Sequence, residues 1–141
     1  MRTITLNMNI QIKDSRKLSD LQRDFQEMFP YLKLEFYARP HVVREQQKTL
    51  NPNLTIGECR KSIKEGVISI EPSNTVRQVE KAFTEEFGLY PQVFRKSGNL
   101  WIETTLTDHW TLFQQNMEGG EMSRPNTTEE NIDFSDRDQW E

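Results

Sequence analysis

From Thr3 to Ile12 the chain alternates without a break, with Ile4, Leu6, Met8, Ile10 and Ile12 on one parity and Thr3, Thr5, Asn7, Asn9 and Gln11 on the other. A period of two predicts a strand with one face in the core and one in water. Central strands of a doubly wound parallel sheet are apolar on both faces, so that architecture is disfavoured. The period then changes. Leu18, Leu21, Phe25 and Met28 fall three or four apart, with Phe29 beside them, as the apolar stripe of one helix. Asp14 or Ser15 is placed to cap this helix, and Pro30 to end it. Leu32, Leu34 and Phe36 alternate with Lys33 and Glu35 in a second strand, completing a β-α-β unit.

Ala38–Asn53 is polar, bracketed by prolines, and reads as a long loop. Thr55 and Glu58 have the spacing of a capping box ahead of a short stripe, Ile56, Cys59 and Ile63, ending near Gly66. Val67, Ile68 and Ile70 read as a strand. Thr75 and Gln78 repeat the box, Val76, Val79, Phe83 and Phe87 form the next stripe, and Gly88 suits a left-handed terminator. Residues 90–105 read as a hairpin turning at Ser97-Gly98-Asn99, and Thr107 or Asp108 as the cap of a short helix carrying Trp110 and Phe113.

The two units match internally at an offset of 58 residues: Ile10/Ile68, Ile12/Ile70, Ser15/Ser73, Phe25/Phe83, Glu27/Glu85, Phe29/Phe87 and Phe36/Phe94 are identical. Two β-α-β units with helices on one face of an antiparallel sheet predict an α+β fold. The specific expectation is a ferredoxin-like two-layer sandwich with an added C-terminal hairpin strand and short helices. The alternative is a β-grasp-like domain formed mainly by residues 54–117, with the first unit as an added layer.

Charge redraws the boundaries. The 141 residues carry a net charge of −4, but residues 118–141 alone hold eight acids against two bases. The remaining 117 residues are therefore +2. With only Met122, Ile132, Phe134 and Trp140 as large apolar side chains, the last segment is too sparse to bury itself. The organisation expected is one domain over residues 1–117 and an acidic, mostly disordered tail over 118–141. No apolar run approaches the ~18 residues of a membrane span. The opening MRTITLNMNI is no secretory core, so the expected location is cytoplasmic.

Chemistry-bearing residues are few. One cysteine and two histidines without HxH or HxxxH spacing do not make a transition-metal site, and no cofactor is expected. Cys59 reads as a small buried hydrophobe, His41 as a solvated loop residue, and Asp108, beside His109, as a cap rather than an acid-base partner. GxGxxG, GxxxxGK[ST] and GxSxG are absent. An enzyme with an unrecognised site thus has no motif in its favour.

Two binding readings remain. Single-stranded nucleic acid suits an exposed sheet face on which Phe94 and Trp101 lie beside Arg95 and Lys96, with Tyr31 and Tyr37 on the second strand. The RNP1 pattern is missing, however, and +2 gives little counterion-release drive. A protein-interaction or regulatory module, paired as a homodimer across the open sheet face, fits more features. The tail mixes acids with Ile132, Phe134 and Trp140, and Arg39, Arg44 and Lys48 of the long loop form its natural counter-surface. The expected binding residues are Arg95, Lys96, Trp101, Asp108, His109 and Trp110, with a protein partner or a second copy favoured, nucleic acid less supported and no membrane.

Across about residues 8–120, and most strongly in VFRKSGNLWIETT and the following DHWTL, the chain resembles a family of small uncharacterised bacterial proteins. That resemblance implies a cytoplasmic bacterial protein and supplies no catalytic or binding residues.

Overall fold

The computed structural model describes residues 8–40 and 48–124. The chain runs β1 (Asn9–Ile12), α1 (Leu18–Met28), β2 (Leu32–Tyr37), α2 (Ile56–Cys59), β3 (Gly66–Ser69), α3 (Val76–Phe87), β4 (Tyr90–Ser97), β5 (Leu100–Glu103), a 3-10 turn (Thr105–Thr107) and α4 (Leu112–Met122). The fold is α+β. A ferredoxin-like sandwich implies one sheet, whereas the described strands pair as two antiparallel sheets, β1-β3 and β2-β4-β5. Thr3–Asn7 of the first expected strand, His41 and Arg44 of the loop, and Ile132, Phe134 and Trp140 lie outside the described residues.

Both apolar stripes enter one core. Leu18, Leu21 and Phe25 of α1 and Val76, Val79, Phe83 and Phe87 of α3 are buried together with β-strand residues from both halves. Each such side chain contributes about 1.5–3 kcal/mol on full burial. Phe36 of β2 meets Phe83 of α3 edge-on at 5.7 Å, so the contact crosses from one half to the other. Gly88 at φ 69° closes α3 in the left-handed conformation that a side chain disfavours.

The internal match is also a relation in space. Ile10 lies directly opposite Ile68, its own counterpart at offset 58, flanked by Asn9↔Ser69 and Gln11↔Val67. In β2 and β4 the offset is 57: Glu35 faces Gln92, and the pairs Leu34↔Val93 and Phe36↔Pro91 interchange. The register of both strand pairs is therefore unchanged when the halves are exchanged, which is a local two-fold relation.

The helix starts obey it too. Leu18 and Ser19 N–H donate to Leu54 and Pro52 C=O (2.9 and 2.9 Å), while Ile56 and Gly57 N–H donate to Arg16 and Asp14 C=O (2.7 and 3.1 Å). In the second half Val76 and Arg77 donate to Trp110 and Asp108 (3.1 and 2.9 Å), and Leu112 and Phe113 to Asn74 and Pro72 (2.8 and 3.0 Å). First-turn amides have no partner within their own helix. Here each pair of helices satisfies them by trading with the other's leading loop.

This exchange moves two caps. The residue preceding α1 is Lys17, not Asp14 or Ser15, and its N–H donates to the Asp20 carboxylate at 2.9 Å. The cap of α4 is Thr111, whose hydroxyl accepts from Gln114 N–H at 3.0 Å, rather than Thr107 or Asp108. The boxes at Thr55 and Thr75 form as expected.

The halves part company at their second helices. After one turn of α2, Arg60 is extended (φ −146°, ψ 161°), and the chain leads on to β3 at Gly66. Ile63, expected on a buried stripe, is consequently 85% exposed. No strand follows α4 among the described residues, and it continues to Met122, past the expected domain edge at 117. It can do so because Gly119 lies against Tyr31: a Cβ there would sit 2.8 Å from the Tyr31 Cβ and 3.2 Å from Arg95 Cγ.

Candidate functional site

Strand geometry divides the expected site residues between two faces. Arg95 and Lys96 are consecutive in β4, so their side chains leave opposite sides of the sheet. On one side Lys96 Nζ lies 5.6 Å from the Trp101 ring, and Lys33 Nζ stands 5.1 Å from Trp101 and 5.7 Å from Phe94. Lys33 also pairs with Glu35 at 3.2 Å. On the other side Arg95 reaches α4. Its Nη1 donates to Gln115 Oε1 at 2.8 Å, its guanidinium lies 5.6 Å from the Trp110 ring, and its buried Nε has no hydrogen-bond partner.

Asp108 accepts from Arg77 Nη2 at 3.0 Å, and this bond holds the Arg77 guanidinium even more firmly in its charged form than usual. His109 is exposed. The structure thus brings Arg95 together with Trp110, and Lys96 with Trp101, but does not gather all six residues at one point.

Trp110 belongs to a groove along α4 that the expected set only touched. Trp110, Phe113, Gln114, Met117, Glu118 and Glu121 enclose about 370 Å³. Phe113 is 57% and Met117 53% exposed, although they stand one helical turn apart on a helix whose other side is buried. The sequence places Trp110 and Phe113 on one short helix, but their spacing alone does not show which side faces out.

A larger cleft of about 530 Å³ lies at the other end, lined by Ala38, Arg39, Pro40, Glu58, Cys59, Arg60, Lys61, Ser62, Gly88 and Tyr90. Two of its charged residues are committed. The fully buried Arg60 side chain donates to Asp14 Oδ1 (2.7 and 3.1 Å) and to the Phe87 carbonyl that ends α3 (3.0 Å). Glu58 accepts from Thr55 N–H and hydroxyl (2.8 and 3.1 Å), which holds its carboxyl below the usual range. Burial, and then the Glu58 charge, push the Cys59 thiol up, so it stays protonated at neutral pH and is no activated nucleophile.

Among the described residues no cluster of three or more His, Cys, Asp or Glu has the geometry to hold a metal ion. No helix among them is long and apolar enough to cross a membrane. Fold and site together define an α+β domain whose open features, among the described residues, include a helix groove and a cleft. Comparison with protein-family models, with curated proteins and with solved structures gives no match for this chain.

Proposed function

We propose that the chain is a non-enzymatic protein-interaction module that binds its partner through the α4 groove. One observation carries the reading: Trp110, Phe113 and Met117 form a single apolar trough with Glu118 and Glu121 along its edge. Aromatic and methionine side chains are enriched where proteins meet, and Met adapts to irregular surfaces. The acidic edge selects a partner segment that is apolar on one side and basic on the other. Arg95 acts from behind, holding the Trp110 ring through its guanidinium.

The test is the affinity of the full chain for its purified partner, with Phe113→Ser and Leu100→Ser compared. Both residues are exposed, so neither change removes core. A loss of about tenfold or more for Phe113→Ser alone fits the proposal, since central interface anchors cost more than 1.4 kcal/mol. Equal affinities would sink it.

A second reading rests on the opposite sheet face, where Lys33 and Lys96 flank Phe94 and Trp101. Two lysines beside stacked-out rings suit a single-stranded nucleic acid. Titration with a short oligothymidylate at low salt, followed by Trp fluorescence, decides it: no change would end this reading.

A further inference from the structure

The cleft and the seat of α4 are the same place in the two halves. Exchange by offsets of 56–57 residues turns Ala38 into Arg95, Cys59 into Gln115, Arg60 into Asn116 and Gly88 into Tyr31. In the second half these residues hold α4: Gln115 meets Arg95, Asn116 Oδ1 accepts from Tyr31 N–H at 2.9 Å, and Gly119 lies against Tyr31. In the first half α2 stops after Cys59, and the corresponding surface stays open as the 530 Å³ cleft.

We propose that this cleft is a docking site for the chain's own C-terminal segment, residues 129–141. Charge selects this occupant. Outside its Arg60–Asp14 pair the cleft is lined by Arg39 and Lys61 against Glu58, a net positive charge, whereas the segment carries Glu129, Glu130, Asp133, Asp136, Asp138 and Glu141 against Arg137. Phe134 and Trp140 supply the apolar surface that α4 provides in the other half. The α4 groove suits this segment less, because Glu118 adds like charge there while Glu121 is paired with Arg124. Reach favours the end of the segment: from Arg124, ten residue steps to Phe134 span up to about 33 Å and sixteen to Trp140 about 53 Å when extended. A domain of this size has a radius of gyration of about 13 Å, and so is roughly 35 Å across.

Cys59, the single cysteine, lines the cleft and reports on its occupancy. The rate of alkylation of the full chain by iodoacetamide is compared with that of the double variant Phe134→Ser/Trp140→Ser, whose changes lie outside the described core. Docking predicts about tenfold slower reaction in the wild type, the same at low and high protein concentration, since protection equals the ratio of closed to open forms. Equal rates in the two proteins would overturn the proposal. Protection that grows with protein concentration would also overturn it, by assigning the occupant to a second copy. This surface is separate from the α4 groove, so failure here leaves the proposed function standing, and the reverse holds too.

Discussion

The first half of the chain ends its pattern in one helical turn, and the second ends it in three. Apart from β5 and the 3-10 turn, which have no counterpart among the described residues of the first half, the elements before that point are shared: matching strands, matching apolar helices, and the same four-bond exchange between helix starts. The shared parts are buried and do the folding. The groove and the cleft occur where the halves diverge, the first exposed on the long helix and the second beside the short one. In a doubled framework, broken symmetry is therefore the better guide to function than the symmetry itself.

If both halves share one core, matched core changes must act alike. Phe25→Ala and Phe83→Ala, at counterpart positions and both fully buried, are each expected to cost about 3–5 kcal/mol in a single urea transition. A biphasic curve in either variant would show two independently folding halves.

The second helices are tied to the opposite half by unlike means, so their losses should differ. Arg60→Met strands Asp14 and frees the Phe87 carbonyl, for an expected cost of about 2–3 kcal/mol, since Asp14 is partly solvated. Asn116→Ala removes one bond to Tyr31 N–H, for about 1 kcal/mol. Thermal unfolding of both variants checks the order.

The close approach of α4 makes a finer distinction. Gly119→Ala places a methyl group 2.8 Å from Tyr31 Cβ and is expected to destabilise by about 1–3 kcal/mol despite alanine's helix preference. Gly120→Ala meets only the Tyr31 ring edge at 3.2 Å and should stay within about 1 kcal/mol of wild type.

The smallest effect separates the halves by pH. Caps in the first half use Asp20 and Glu58, while those in the second use Gln78 and Gln114. The backbone bonds from Lys17 and Thr55 lower the pKa of Asp20 and Glu58 respectively. A carboxyl depressed by folding stabilises above its unfolded pKa, and that contribution is lost as pH falls through the folded one. Acidification below the ordinary carboxylate range should thus reduce amide protection at Lys17 and Thr55 but not at Thr75 and Thr111. Equal loss at all four would contradict the assignment.

Much of the framework was legible because it follows from local periodicity. The stripes of α1 and α3, the boxes at Thr55 and Thr75 and the Gly98 turn all form as read. The caps at Lys17 and Thr111 were missed because bonds between distant loops decide them. Nothing in the sequence signals the packing of Gly119 and Gly120, although their missing side chains let α4 lie against Tyr31. Of the site, Trp110 was among the expected binding residues, Phe113 was placed only on the last short helix, and Met117 marked the expected domain edge. Alternation within β4 already separates Arg95 from Lys96, so that division is legible in the sequence.

The central claim is the two-fold relation, and cross-strand NOEs test it most directly. The account predicts that Ile10 faces Ile68 and that Glu35 faces Gln92 within one monomer. A one-residue shift in either pair would remove the exchange symmetry and contradict it.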